Sequence, residues 1–287
     1  MKIAFLADFF VEDGINGGGE LNNEELIKLL INKGNDVKKY HTHNLAIDNL
    51  PDTSTNLIIG NFIGLPEQTK TYISKNYSYI IYEHDHKYLK TRDPSLFKNY
   101  KAPEDQIINR QFYENAKSII CQSKLHMRVV ERNLNLDNIV SVSGNLWSED
   151  LLDYLEKIST PQEDKDDVCS IMYSNIPNKN IEESILYCKV NDLKSEKIMP
   201  CSHKEFLTKL NNNKTLVFFP KTLETLSRIV VEARMLNCRI ITNKKIGATS
   251  EDWFKLKGKK LIDEMRTRRN TIPYAVEKIF NENSINN

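Results

Sequence analysis

Residues 217–233 read Val217-Phe218-Phe219-Pro220-Lys221-Thr222-Leu223-Glu224-Thr225-Leu226-Ser227-Arg228-Ile229-Val230-Val231-Glu232-Ala233. The apolar run from Thr215 to Phe219 predicts a buried strand, and the polar turn after it sets Glu224 at that strand's C-terminal edge. A helix predicted from about Leu226 to Leu236 then opens with its unpaired N–H groups aimed at the same place. Open α/β sheets take ligands at the carboxyl ends of their strands, and a helix mouth is a ready site for phosphate. Glu232 lies about a turn and a half into the helix, so it can address a group set back from such a phosphate. A carboxylate there is suited to accept hydrogen bonds from the two hydroxyls of a ribose. Two surface glutamates flanking a core helix would show the same spacing.

Around this stretch the pattern is that of a small α/β sheet. Strands are predicted at Cys169 to Tyr173 and Arg239 to Thr242, with helices near Ile181 to Lys189 and Ser202 to Leu210. Upstream, short apolar runs alternate with longer periodic segments. Strands are predicted at Lys2 to Ala7, Leu57 to Gly60, Tyr79 to Tyr82, Ser118 to Cys121 and Ile139 to Val142. Helices are predicted at Glu20 to Lys33, Glu67 to Lys75, Gln106 to Asn115 and Lys124 to Asn133. Repeated β-α-β units imply a parallel sheet. Between Lys157 and Asp167 the sequence KISTPQEDKDD is polar and carries Pro161, which reads as an exposed hinge. The expected division is therefore residues 1–157, residues 158–259, and a helical tail 260–287 that packs back on the first domain.

A chain of 287 residues suits two domains, and 40% apolar with 28% charged residues is a globular composition. Lys plus Arg number 40 against 39 Asp plus Glu, a net charge of +1, which excludes a dedicated, strongly basic nucleic-acid binder but leaves room for a local patch. The five cysteines are scattered and form no C-x-x-C pair, so neither a disulfide framework nor a zinc site is indicated and a reducing, cytoplasmic setting is expected. The opening MKIAFLADFF reads as a first strand, and no stretch approaches the roughly 18 apolar residues of a membrane span.

The segment from Pro220 to Ala233 resembles the E-x7-E element of retaining GT-B glycosyltransferases, the group-1 or family-four class, in its P-x-x-x-E-x-x-x-R-x-x-x-E-A form. The resemblance implies an α/β protein of GT-B type: two Rossmann-like domains whose parallel sheets face across a cleft, the second domain small. It implies a nucleotide-sugar donor, a UDP-sugar foremost, with no metal required. By the same resemblance Glu232 holds the nucleotide ribose, Glu224 contacts the transferred sugar, and the backbone of Leu226 and Ser227 holds the diphosphate. A second segment, Met172 to Asn180, resembles the family's G-R-x-x-x-x-K-G turn; its lysine is present as Lys179, while Ser174 stands where the family has arginine. Arg228 or Lys221 would then supply the second cation. The loop Gly14 to Glu20 occupies the place of the family's glycine-rich G-G-x-E loop, which assigns Gly18 and Gly19 to the donor. Glycines there let a backbone approach a ligand, though the same loop also reads as a plain flexible turn.

Tyr82-Glu83-His84-Asp85-His86 follows a predicted strand directly. Two histidines and an aspartate at this spacing are a poor metal site without further ligands. His84 or Asp85 orienting or deprotonating an acceptor hydroxyl is the preferred reading. Beyond it, His86 to Lys101 interleaves Lys and Arg with aromatics, which places His86, Lys87 and Arg92 as acceptor contacts. Such a mixture suits phosphate contact plus base stacking, so a hydroxymethylated DNA base of phage type is one acceptor, with a glycan or small molecule the other. A phage enzyme would act in the host cytoplasm. Two rival functions remain: a non-catalytic GT-B-like protein that binds nucleotide sugar, to which Ser174 points, and a sugar-nucleotide epimerase.

Overall fold

The structure, a computed structural model, describes residues 1–15 and 17–282. Asn16 of the glycine loop and residues 283–287 of the expected tail lie outside the described residues. The chain forms two compact units, one running from Met1 to Leu146 and taking in the chain from Arg268 onward, the other Trp147–Thr267.

Unit 1 is laid down as β1 (Lys2–Ala7), α1 (Gly18–Asn32), β2 (Asp36–His41), β3 (Asn56–Ile59), α2 (Glu67–Asn76), β4 (Tyr79–Tyr82), α3 (Arg110–Glu114), β5 (Ser118–Cys121), α4 (Lys124–Leu134) and β6 (Ile139–Ser141). Its six strands are all parallel in the order β2-β1-β3-β4-β5-β6. β4 and β5 are buried at every position, as interior strands of a sheet covered on both faces must be. Alternate residues feed two cores. Leu6, Ile59, Ile81 and Ile119 pack with Phe112 and Val130 on one face, while Phe5, Ile58, Ile80 and Ile120 pack with Leu26 and Leu30 of α1 on the other. α1 stops where Gly34 turns left-handed at φ 87°, a conformation that disfavours any side chain. The helix predicted from Gln106 shrinks to α3 because Asn109 adopts a left-handed backbone, φ 56°, immediately before it.

Unit 2 runs α5 (Glu149–Ile158), β7 (Asp166–Met172), α6 (Ile181–Val190), β8 (Ser195–Ile198), α7 (His203–Asn212), β9 (Asn213–Phe218), α8 (Arg228–Met235), β10 (Arg239–Thr242) and the start of α9 (Gly258–Asn281). The four strands are parallel in the order β10-β9-β7-β8. Leu216 and Phe218 of β9 face one core and Val217 the other. The segment 157–167, expected as a hinge between domains, lies within unit 2. Leu152 and Leu155 of α5 enter its core, Ser159 donates to the Met235 carbonyl at 3.1 Å, and the buried Lys165 ammonium donates to Asn211 Oδ1 at 2.6 Å. Polar composition here reflects side chains spent on tying a loop down. Within unit 1, the later part of α9 packs Ile272, Val276 and Phe280 on the α1 side of the sheet, and Arg269 meets Glu25 at 2.6 Å. Among the described residues no helix is long and apolar enough to cross a membrane.

Candidate functional site

The turn after β9 is held from both sides. Asn180 Nδ2 donates to the Phe219 carbonyl at 2.9 Å, Lys221 N to the Asn178 carbonyl at 2.9 Å, and Asn243 Nδ2 to the Pro220 carbonyl at 2.9 Å. Glu224 is fixed by its own backbone. Its N–H donates to the Lys245 carbonyl and its carbonyl accepts from Gly247 N, both at 2.9 Å, in a one-residue parallel bridge with Ile246. Its carboxylate accepts from Lys179 Nζ at 2.8 Å. The two side chains that separate motifs point to therefore meet at the carboxyl edge of β7 and β9.

Ser227 stands between this pair and the helix. Its backbone is left-handed, φ 76° and ψ 88°, which for a residue with a Cβ costs about 1–2 kcal/mol. Ser227 is 6% exposed, and its hydroxyl has no hydrogen-bond partner among the described residues. Strained backbone and unmet buried polar groups are features that gather at ligand sites. The same strain explains why α8 begins at Arg228 and not at the predicted Leu226. Leu226 instead is fully buried, and its carbonyl accepts from Ala248 N at 3.0 Å, anchoring the turn to the core.

Within α8, Glu232 is 3% exposed. Trp147 Nε1 donates to its Oε1 at 2.9 Å, Arg228 Nε lies 3.8 Å from the same oxygen, and His203 Nε2 lies 3.0 Å from its Oε2. The Arg228 guanidinium stacks over Trp147, 4.4 Å from the ring centroid. Burial pushes the Glu232 carboxyl up, but hydrogen bonding and charge from His203, with Arg228 and Trp147, outweigh it and hold the carboxyl below its usual range. In return the hydrogen bond that His203 donates to Glu232 raises the imidazole above its ordinary value, against the opposing effect of burial. Trp147 and His203 are the residues sequence reasoning missed here. Ser174, in the place of the family arginine, uses its hydroxyl to accept from Ile176 N at 3.2 Å.

In unit 1, α1 starts at Gly18, and a Cβ added at Gly19 would lie 3.5 Å from His84 Cγ, so the glycine loop and the loop after β4 are in contact. That second loop is organised around Glu83, which is fully buried. Its Oε1 accepts from the backbone N–H groups of His84 and Asp85 at 2.9 Å and from Lys87 Nζ at 3.0 Å, while Tyr113 OH donates to Oε2. Burial opposes ionisation of Glu83, yet the Lys87 charge, helped by His126 and Tyr113, keeps the carboxyl below its ordinary range.

The loop side chains proposed for acceptor chemistry are engaged by this network. His84 Nε2 donates to Asn23 Oδ1 at 2.8 Å, its Nδ1 accepts from the Gln122 amide, and burial, seconded by Lys87, pushes the imidazole down to about 3. A neutral ring with both nitrogens occupied positions α1 against the loop and is poorly placed to take a proton. Asp85 bridges Lys87 and Arg92. His86 and Lys87 are 1% and 2% exposed; His86 Nδ1 bonds Tyr88 OH at 2.9 Å, and burial pushes its imidazole down to about 4. Arg92 is exposed. Among the described residues, no group of three or more His, Cys, Asp or Glu side chains is arranged to hold a metal ion.

No protein-family profile and no curated protein matches the chain. Solved structures do. HepE of Anabaena in complex with UDP-glucose aligns with a TM-score of 0.53 at 13% identity, covering 97% of this chain and 92% of that one. AviGT4, a glycosyltransferase involved in avilamycin A biosynthesis, aligns with a TM-score of 0.51 at 11% identity over 98% of both chains. Two parallel α/β sheets, matched over nearly the whole length, give this chain the GT-B fold that the Pro220 to Ala233 segment implied.

Proposed function

We propose that the chain is a glycosyltransferase that holds a UDP-sugar in unit 2 and transfers the sugar, with retention, to an acceptor hydroxyl. The observation that carries this reading is Ser227: a left-handed, buried residue with an unmet hydroxyl, placed at the mouth of α8 between Glu224 and Glu232. An anion at that mouth would meet the first N–H groups of α8 and the Ser227 hydroxyl together. The HepE structure that aligns with this chain carries UDP-glucose, and AviGT4 is a glycosyltransferase, which supports a UDP-sugar as the occupant.

In this reading the departing diphosphate is stabilised by the α8 mouth, Lys179 and Arg228, and the work of catalysis is charge stabilisation and positioning. Glu224 holds the Lys179 ammonium ready and contacts the sugar. Glu232, with two lone-pair directions left after Trp147 and His203, accepts from the ribose hydroxyls. Ser174 favours a second reading, a protein that binds nucleotide sugar without transferring it, because one family cation is replaced by a hydroxyl already engaged with Ile176 N.

Proton NMR of UDP-glucose incubated with the full chain separates these readings. Release of UDP with transfer or slow hydrolysis, the new anomeric signal keeping the donor's configuration, is the expected result. Saturable binding with an unchanged donor spectrum would favour the second reading, an inverted anomer would remove retention, and an isomerised sugar nucleotide would replace transfer with epimerisation.

A further inference from the structure

Unit 1 contains a cavity of about 500 Å³ at the carboxyl edge of β3 and β4, entirely within that unit. Its volume is in the range that holds small ligands, roughly 300–1,000 Å³. Four of its lining side chains are cationic: Lys70, Lys87, Lys90 and Arg92. Glu67 at the rim is the acidic member, its side chain 83% exposed beside Lys70. Two of the cations are unusual for being inside. Lys70 is 8% exposed and Lys87 2%, and their ammonium groups flank the same Phe62 ring at 5.9 and 5.7 Å from its centroid. Buried lysines need compensation, and these are held in place by it: Lys87 by Glu83 and Asp85, Lys70 by Glu67 and by Asn109 Oδ1 at 2.8 Å.

Asn109 completes the frame, because its Nδ2 donates to the Lys87 carbonyl at 2.9 Å and so joins α2 to the loop after β4. That loop carries non-glycine residues in the left-handed region at His86 (φ 59°) and Arg92 (φ 54°), and Asn109 itself has φ 56°. Backbone strain of this kind persists where surrounding structure over-determines it, and it gathers at ligand sites. Lys90 is exposed and makes no ion pair among the described residues, so it offers the cavity an uncommitted charge. Phe62, Leu89 and the 55%-exposed Ile63 give the cavity apolar walls.

The geometry points to a binding site for a small molecule that carries a phosphate group next to an apolar or ring-shaped body, and, resting on the glycosyltransferase reading above, to such a phosphorylated small molecule as the acceptor. Lysine ammoniums meet phosphate as strongly hydrated point charges, and Arg92, whose Nη2 is paired with Asp85, has further N–H groups to offer a phosphate oxygen. A nucleic-acid strand is the other polyanion to weigh. It is favoured less, because the cations converge on one concavity and do not form a stripe, and the chain as a whole carries only +1.

The test is calorimetric titration of phenyl phosphate into the full chain with UDP at saturating concentration, so that the donor site is occupied. Wild-type protein should bind, and Lys90→Glu and Arg92→Gln, both at exposed positions, should each weaken binding by about tenfold or more, with thermal midpoint and UDP affinity as in the wild type. No phenyl phosphate binding, or equal affinity in all three proteins, overturns the site. Failure to bind phenyl phosphate together with tight single-stranded DNA binding that Lys90→Glu abolishes assigns the cations to nucleic acid and also overturns it. The readings fail separately: absence of UDP binding with phenyl phosphate binding intact would remove the donor assignment and leave the cavity's ligand class standing.

Discussion

The turn after β9 and the loop after β4 both bring carboxylates and cations to the carboxyl edge of a parallel sheet, yet they treat those charges in opposite ways. After β4 the inner charges neutralise one another inside the fold, with Glu83 and Lys87 almost wholly buried, while Lys90 and Arg92 stay at the surface. After β9 the Lys179 and Glu224 side chains stay 28% and 17% exposed, and the strain and the unmet hydroxyl are concentrated at Ser227. One loop buries its ion pair; the other leaves its pair within reach of solvent. The two should therefore respond to substitution differently.

The largest effect is expected at Glu83. Replacing it by alanine leaves the buried Lys87 ammonium with Asp85 alone and the Tyr113 hydroxyl without its acceptor, and removing one partner of a buried pair costs roughly 3–5 kcal/mol. Urea denaturation of Glu83→Ala should show that loss, and a change below about 1 kcal/mol would mean the charges after β4 are not structural. Next comes Lys179→Ala. Turnover of UDP-sugar should fall by about two to three orders of magnitude, as when one charge-stabilising donor is removed, while stability shifts by no more than the roughly 0–1 kcal/mol of an exposed pair. Near-normal turnover would move the phosphate role elsewhere.

Ser227→Gly separates strain from function most cleanly. Glycine accepts the left-handed backbone without its cost, so the protein should gain about 1 kcal/mol of stability, while UDP affinity drops for want of the hydroxyl. Gain or loss in both together would contradict the assignment. The smallest effect concerns His203, whose imidazole is held above its ordinary value by Glu232. Its contribution to stability is complete below the unfolded imidazole's value, about 6.5, and disappears as pH rises through the higher folded value. Comparing thermal midpoints of wild type and His203→Gln between pH 5 and 9, the wild-type advantage should be greatest at the acid end and shrink towards the alkaline end; an advantage that grows with pH would reverse the sign.

The buried strands were legible because β-branched and aromatic runs such as Tyr79-Ile80-Ile81-Tyr82 have no other home in a parallel sheet. The edges were not. β2 (Asp-Val-Lys-Lys-Tyr-His) and β8 (Ser-Glu-Lys-Ile) lie at sheet margins, half or fully exposed except for the buried Ile198, and their polar sequences carry no strand signal. Glu224, Glu232 and Lys179 could be picked out because local spacing and a resemblance marked them. Trp147 and His203, which complete Glu232, stand 85 and 29 residues away in sequence, and only the folded chain brings them to it. The hydrogen bonds of the loop after β4 were hidden for a related reason: Asn23, Glu83 and Gln122, which hold His84 and Lys87, are brought to it only by the folded chain.

The account rests on unit 2 gripping a uridine diphosphate between the mouth of α8 and Glu232. Calorimetry of UDP with wild-type protein and with Glu232→Gln reads this directly, since the amide keeps an acceptor for Trp147 but gives up the charge and the second oxygen that a ribose needs. Saturable binding to the wild type, weakened by about tenfold or more in Glu232→Gln, is the predicted result. Equal affinity in the two proteins, or no binding to either, would contradict the account.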